Sequence, residues 1–390
     1  MKKTNVFVVL TLVGVLLAAC GGAQTSVATK APAPTSALPA VITLGAAHDL
    51  SGATAIYGTP IQKGINLAVK QMNEQKFFGE GHTVKVLYED TTGDPKQAIA
   101  SFEKLIANPD VAAILGPTLS SEAKSADPVA QSAGMPVIAS SNTASGITDI
   151  GDYIFRTSLP ESAVVPNTVN VTKKALNLTK VAIMYGADDA FTQSGYDVFK
   201  AALTAAGIKI LTKETFAKGD TDFSAQLTKI KSLNPDAIVV SALAEEAAKI
   251  MVQARALGIP VSVRIIGGNG FNSPKLAEIA GAAAEGAISG SAWNVANTYP
   301  ASVDFVKAFN AEYGGNPDQF AAQAYTAAWA TATAIKNANS VKRSDVRDAL
   351  TKISGLESPL GPFSFSANRD PVHDPVVLTI KDGAFVVFQP

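Results

Sequence analysis

From Val41 onward the chain repeats one unit, a short β-rich run followed by a loop and an amphipathic helix. That alternation leaves few options, because strands joined by helices pair in parallel and right-handed crossovers cover both faces of the sheet. Residues 41–47 read as a buried strand, and Ile61, Ile65, Ala68, Val69 and Met72 recur at helical spacing behind Pro60, which a first helical turn tolerates. Residues 83–88 alternate like a strand, and Asp94-Pro95 offers an N-cap with proline behind it, opening a helix that carries Ala98, Ile99, Phe102, Leu105 and Ile106. Residues 111–115 and 136–139 continue the series. A second series begins at Lys180, with strands expected at 181–185, 208–212, 237–240 and 261–266, and helices at 194–206, 223–232 and 246–257. One sheet of that length would be unusual, so the pattern predicts an α/β protein of two doubly wound parallel-sheet lobes. The helical stretch 302–353 and the last strands, 376–380 and 384–388, must return to one lobe or the other.

Length supports two lobes, since 390 residues exceed the usual size of one domain. Lys plus Arg total 32 against 33 for Asp plus Glu, a net charge of -1 that supplies no field for nucleic acid or an acidic membrane surface. The expected partner is a small molecule. One cysteine cannot form an internal disulfide or a cysteine-based metal site, and His48, His82 and His373 stand far apart in sequence, so neither metal nor cofactor is expected.

The beginning of the chain reads as an address. Lys2 and Lys3 precede an apolar run over 6–19 that is too short to cross a bilayer, and small residues lead up to Cys20. Residues 1–20 therefore read as a signal peptide whose end resembles a bacterial lipobox, with Cys20 as the lipidated mature terminus. Residues 21–40, rich in Ala, Pro, Thr and Ser and without an acidic group, read as a flexible tether. The implied location is extracytoplasmic, anchored to a membrane through lipid on Cys20.

In open parallel sheets ligands bind beyond the carboxyl ends of the strands, where strand order reverses. The loops there are rich in glycine and hydroxyls: 48–58, 116–121 and 140–143 in the first series, 186–195, 241–246 and 267–272 in the second. Hydroxyls and free backbone N–H groups at helix starts, with no Lys or Arg among them, suit a carboxylate better than a polyphosphate. Asp188-Asp189 and Glu245-Glu246 could accept from a ligand amine. Tyr57, Phe191, Phe271, Trp293, Phe320 and Tyr325 could wall a cleft. Ser121 to Lys124 and Ser101 to Lys104 both fit the S-x-x-K pattern of serine acylases, yet no K-T-G element follows and both read as ordinary helix. No G-x-S-x-G elbow, phosphate-binding loop or dinucleotide fingerprint is present; a general base needs only one placed carboxylate such as Asp189 or Glu245, but nothing in the spacing selects it, and a binding protein, not an enzyme, is the better reading.

Several short segments in order carry a family likeness: Leu50-Ser51-Gly52 with Tyr57-Gly58, Tyr88-Glu89-Asp90 with Gly93-Asp94-Pro95, Gly116 to Ser121, Phe155-Arg156-Thr157, Phe191 to Gly195, and Ala280-Gly281 with Glu285-Gly286. Across some 350 residues the chain thereby resembles the extracellular solute-binding proteins of branched-chain amino acid ABC transporters, the Leu/Ile/Val-binding, type I periplasmic binding proteins. The resemblance implies two lobes joined by three crossings, near 157–160, 289–292 and 366–370, that close over ligand by hinge bending. It divides the chain into an N-terminal lobe of 41–157 plus 291–367 and a C-terminal lobe of 158–290 plus 368–390. By position it assigns the ligand carboxylate to Ser120, Ser141 and Thr143, and the aromatic walls to Tyr57, Phe191 and Phe320. One position departs from the pattern. Where the family's branched-chain members carry a carboxylate for the α-ammonium, this chain has Asn269, and a neutral amide cannot offset a buried ammonium. Either Asp189, Glu245 or another carboxylate takes that role, or the ligand has no amine. The resulting reading is a lipid-anchored receptor handing an amino acid to an ABC transporter permease. The alternatives are a receptor for an amine-free carboxylate, urea or an amide, and a ligand-sensing ectodomain.

Overall fold

The computed structural model describes residues 38–389. The expected signal peptide, Cys20 and most of the tether lie outside the described residues. In chain order the first part comprises β1 (Val41–His48), α1 (Ala55–Glu74), β2 (Thr83–Asp90), α2 (Pro95–Ala107), β3 (Val111–Leu115), α3 (Ser120–Ser132), β4 (Val137–Ala139) and β5 (Ile154–Arg156). Their strands form one sheet in the order β2-β1-β3-β4-β5, parallel throughout. Ile42, Leu44, Ala46 and the whole of β3 are buried, as expected where helices cover both faces.

The second part continues through α4 (Glu161–Leu176), β6 (Lys180–Gly186), α5 (Ala190–Ala205), β7 (Lys209–Phe216), α6 (Ser224–Leu233), β8 (Ala237–Ser241), α7 (Ala244–Ala256), β9 (Arg264–Gly267), α8 (Pro274–Ala280) and β10 (Ile288–Ser291). The chain then runs through α9 (Pro300–Tyr313), α10 (Gln319–Ala338), α11 (Arg343–Leu350), the hairpin β11 (Leu356–Ser358) and β12 (Gly361–Phe363), and finally β13 (Val376–Lys381) and β14 (Ala384–Val387). The second sheet has the order β14-β13-β10-β9-β8-β6-β7, parallel except for the two pairings of β13, with β10 and with β14. Helices α9, α10 and α11 pack back on α1 and β3 of the first sheet. The protein is thus an α/β fold of two parallel-sheet lobes, with strand order reversing between β1 and β3 in one and between β6 and β8 in the other.

Local chemistry sets the boundaries. Asp94 caps α2, its carboxylate accepting from the N–H groups of Lys96 and Gln97, with Pro95 at the first helical position. Pro60 lies further into α1 than expected, because the helix begins at Ala55; the proline sits inside it and leaves one backbone carbonyl without its helical donor. The strand expected from 261 begins only at Arg264, since the Val263 N–H turns back to Pro260 O at 3.0 Å.

Two contacts fix how distant parts of the chain meet. Gly64 of α1 lies against the backbone of α10, where a methyl group would stand 2.3 Å from the Ala321 carbonyl oxygen. Helix α10 packs along α1 and buries small residues, among them Ala321, Ala324 and Ala328. At one end of the pair, the ring of Tyr57 on α1 meets the ring of Phe320 on α10 edge-on, with centroids 5.0 Å apart. Elsewhere Arg156, at the end of β5, directs its Nε to Asp370 Oδ1 at 2.5 Å and a second nitrogen to Ala144 O at 2.8 Å. This ties the segment that leaves the first sheet to the segment that leads into β13.

Candidate functional site

The carboxyl-end loops of the first sheet are stitched to one another. The Ser120 hydroxyl, at the start of α3, accepts from the N–H groups of Thr143 and Ala144, both at 3.2 Å. The Ser141 hydroxyl donates to Thr118 O at 2.5 Å, and the Ser158 hydroxyl to Asn142 O at 2.6 Å. Each hydroxyl holds a neighbouring loop, so the N-terminus of α3 is presented on a fixed bed. His48 and Asp49, in the loop after β1, belong to the scaffold. Burial pushes the His48 imidazole down to about 3, so it stays neutral, with Nδ1 3.1 Å from Thr118 Oγ1. Asp49 takes the N–H groups of Gly52 and Thr54 at 2.6 and 3.0 Å.

From the opposite side, the second part reaches across at Tyr57, at Asn269 and at the Ser194 hydroxyl of α5, which accepts from Ser145 N at 2.8 Å. The Tyr57 hydroxyl donates to Gly270 O at 2.8 Å and accepts the N–H of Ala244, the first residue of α7, at 2.7 Å. Burial raises its pKa further above the ordinary phenol range, so it remains a donor. Asn269 bridges in the other direction. Its Nδ2 donates to Ser141 O at 3.1 Å, and its Oδ1 accepts from Gln319 Nε2 at the head of α10. The backbone N–H of Asn269 goes to Glu161 Oε1 at 3.0 Å.

Between these contacts lies a cavity whose lining includes Tyr57, Ser120, Ser141, Phe191, Asn269 and Phe320, together with Thr118, Leu119, Leu243 and Gly270. Its volume is about 20 Å³, room for about one water. Two larger hollows, of about 340 and 480 Å³, open beside it; Asp318 lines both, its carboxyl pushed up to about 7 by burial. Neither hollow is lined by the strand-following loops 116–121 and 140–143 that the small cavity brings against Asn269 and Gly270.

Six of the eight ligand residues expected from sequence therefore come together. Thr143 does not reach the cavity wall: it is buried behind it, with its hydroxyl 3.5 Å from Glu161 Oε1. Asp189 is turned away, because its Oδ1 caps α5 by accepting from the N–H groups of Phe191 and Thr192, both at 3.0 Å. What it contributes is the placement of Phe191. Glu245 is half-buried beside Lys249, Glu246 accepts from Gly219 N at 2.9 Å, and neither lines the cavity. The further aromatics serve packing: Trp293 Nε1 donates to Ser302 Oγ at 2.8 Å, and the Tyr325 hydroxyl is 2.5 Å from Gln71 Oε1.

The residue that sequence reasoning missed is Glu161, the first residue of α4. It is 1% exposed, touches a loop from each sheet through Thr143 and Asn269, and leaves Oε2 without a hydrogen-bond partner. Burial pushes its carboxyl up to about 7. A glutamate after Pro160 reads as an ordinary helix start, and only the tertiary fold brings Gly268 over it. A methyl on Gly268 would stand 2.7 Å from Oε2. Among the described residues, no group of three or more His, Cys, Asp or Glu is placed to hold a metal ion, and no helix is long and apolar enough to cross a membrane.

Residues 41–384 match the family described as periplasmic binding protein. The chain is 26% identical to Leu/Ile/Val-binding protein homolog 3 of Brucella melitensis, over 86% of this chain and 90% of that protein. The crystal structure of the branched-chain amino acid transporter substrate-binding protein LivJ from Streptococcus pneumoniae, in complex with isoleucine, is similar with a TM-score of 0.83 and 31% identity, covering 90% of this chain and all of that one. The leucine-binding protein LivK of Thermotoga maritima superposes with a TM-score of 0.85 at 24% identity, covering 89% of this chain and 98% of that one, a likeness of fold.

Proposed function

We propose that this chain, which belongs to the periplasmic binding protein family, is a lipid-anchored extracytoplasmic receptor that captures a branched-chain or other small amino acid and delivers it to an ABC transporter permease. It binds and releases its solute and performs no chemistry. The observation that carries the reading is the convergence, in one cavity between two parallel sheets, of the Ser120 and Ser141 hydroxyls, the N-terminus of α3 and the three aromatic walls Tyr57, Phe191 and Phe320. The Ser120 hydroxyl, whose proton is free while that of Ser141 goes to Thr118 O, and the helix-start N–H groups suit the carboxylate of such a ligand, and the rings suit an aliphatic side chain. The Leu/Ile/Val-binding proteins to which the chain is similar support the same ligand class.

In this reading the lobes are 41–157 plus 291–367 and 158–290 plus 368–390, and they open and close about the crossings. A cavity of about 20 Å³ is far smaller than the several hundred Å³ of an ordinary ligand pocket, so admission of an amino acid requires the lobes to part. Ligand then bridges the lobes and shifts the population toward the closed form. Lipid on Cys20, with residues 21–40 as tether, keeps the receptor at the membrane that houses the permease.

A second reading rests on Asn269. A neutral amide at the cleft also suits an amine-free carboxylate or an amide. Thermal unfolding of protein stripped of ligand by denaturation and refolding separates the two, because a ligand that binds only the native state raises the midpoint. Leucine, isoleucine and valine are expected to raise it. A shift with amine-free acids, urea or short amides alone would replace the amino acid in this assignment, and no shift with any of these solutes would remove the receptor role.

A further inference from the structure

We infer that Glu161 is the carboxylate that meets the α-ammonium group of an amino acid held in this cleft. The inference rests on the amino-acid receptor reading and names the residue that makes such a ligand acceptable. A buried ammonium needs a charge partner, and an amide supplies none. Of the other carboxylates, Asp189 caps α5 and Glu246 holds Gly219 N, while Glu122, which also keeps one oxygen buried without a partner, bonds to Leu119 N inside the first lobe. Glu161 alone touches cleft loops of both sheets, and its Oε2 is buried without a partner.

The neighbouring atoms fit the same group. An ammonium carries three donors and no acceptor. Ser141 O already accepts an N–H donor, the Nδ2 of Asn269 at 3.1 Å, and the Thr143 hydroxyl lies 3.5 Å from Glu161 Oε1. When the lobes part, the Asn269 amide leaves Ser141 O. Glu161, behind the wall of the closed cavity, moves with Asn269, and on closure over a ligand the ammonium stands between Ser141 O and the Thr143 hydroxyl of one lobe and the Glu161 carboxylate of the other. Gly268 keeps the approach to Oε2 open, since a methyl there would stand 2.7 Å from it.

The test compares leucine with its amine-free counterpart, 4-methylpentanoate, by titration calorimetry on the full-length chain and on Glu161→Gln. The expected result is a loss of at least tenfold in leucine affinity, with 4-methylpentanoate changed by no more than twofold. Adding Asn269→Asp to Glu161→Gln, which returns a carboxylate beside Ser141 O, is expected to restore leucine binding without improving 4-methylpentanoate. Unchanged leucine affinity in Glu161→Gln, or an equal loss for both ligands, would overturn the assignment. Should circular dichroism show Glu161→Gln unfolded, Glu161→Asp carries the comparison: a loss confined to leucine upholds it and an equal loss overturns it. Wild-type protein that binds 4-methylpentanoate as tightly as leucine would overturn the charge pairing and leave a receptor standing. Wild-type protein that binds neither leucine, isoleucine nor valine would defeat the amino-acid reading itself.

Discussion

Replacing Tyr57 with phenylalanine removes one oxygen atom and two hydrogen bonds that span the cleft. The ring stays, and with it the edge-on contact with Phe320 at 5.0 Å. What is lost is the bond to Gly270 O at 2.8 Å and the bond from Ala244 N at 2.7 Å. Both backbone groups belong to the opposite lobe, so in the closed form each is left buried without a partner. In the open form water serves all of them, and the substitution costs nothing there. At about 0.5–1.5 kcal/mol net for each bond, closure is weakened by about 1–3 kcal/mol. With tenfold per 1.4 kcal/mol, that is a fall of roughly 5- to 150-fold in the ratio of closed to open protein, and a matching loss of ligand affinity. Titration calorimetry with leucine reads the affinity, and small-angle X-ray scattering at saturating ligand reads the closed fraction. Affinity within twofold of wild type would refute the reasoning, because it would mean that the two cross-cleft bonds are absent from the ligand-bound form.

Other residues carry two further outcomes. Ser120→Ala leaves the N–H groups of Thr143 and Ala144 buried without an acceptor, and is expected to lower folding stability by about 1–3 kcal/mol in a urea melt as well as weakening ligand binding; an unchanged melt would show that water replaces the hydroxyl. Burial pushes the Glu122 carboxyl up to about 7 from an ordinary value near 4.5, so the native state holds a proton there that the unfolded chain has already released. Its contribution to stability is therefore complete below about pH 4.5 and is lost as pH rises through about 7. Urea midpoints between about pH 5 and 7.5 are expected to fall more steeply for wild type than for Glu122→Gln, and identical slopes would contradict the assignment.

Much of the fold was legible because strands of a parallel sheet are buried on both faces and print as apolar runs. The runs at β1, β3 and β8 stand out for that reason. Helix α4 did not, because Thr168 and Thr172 lie on its buried side and satisfy their hydroxyls within the helix, at Val164 O and Thr168 O, at 3.0 and 2.7 Å. That bonding lets polar residues occupy apolar positions and erases the periodicity. Strand β5, three residues long, offers too little pattern to read. At the site, Ser120 and Ser141 were accessible to reasoning because loops after parallel strands have a known place in such folds. An aspartate before a helix is equally a cap and a ligand by sequence, and for Asp189 the fold chose the cap. Glu161 was beyond reach, since its burial comes from Thr143 and Asn269, one 18 residues before it and the other 108 residues after it.

The close seam between α1 and α10 bears on the order of events in capture. Because Gly64 lets the two helices touch backbone to backbone, Tyr57 and Phe320 hold their mutual position whether or not the opposite lobe is near. Together with the stitched loops around Ser120 and Ser141, they make, in the proposed receptor, a landing surface that is finished before ligand arrives. In the proposed receptor the other lobe then brings Phe191 and Asn269, as a cover. On the proposed reading the association rate is a property of the first lobe, while residence time belongs to the grip of the second. Substitutions on the two sides of one cavity should consequently separate into those that slow arrival and those that hasten departure.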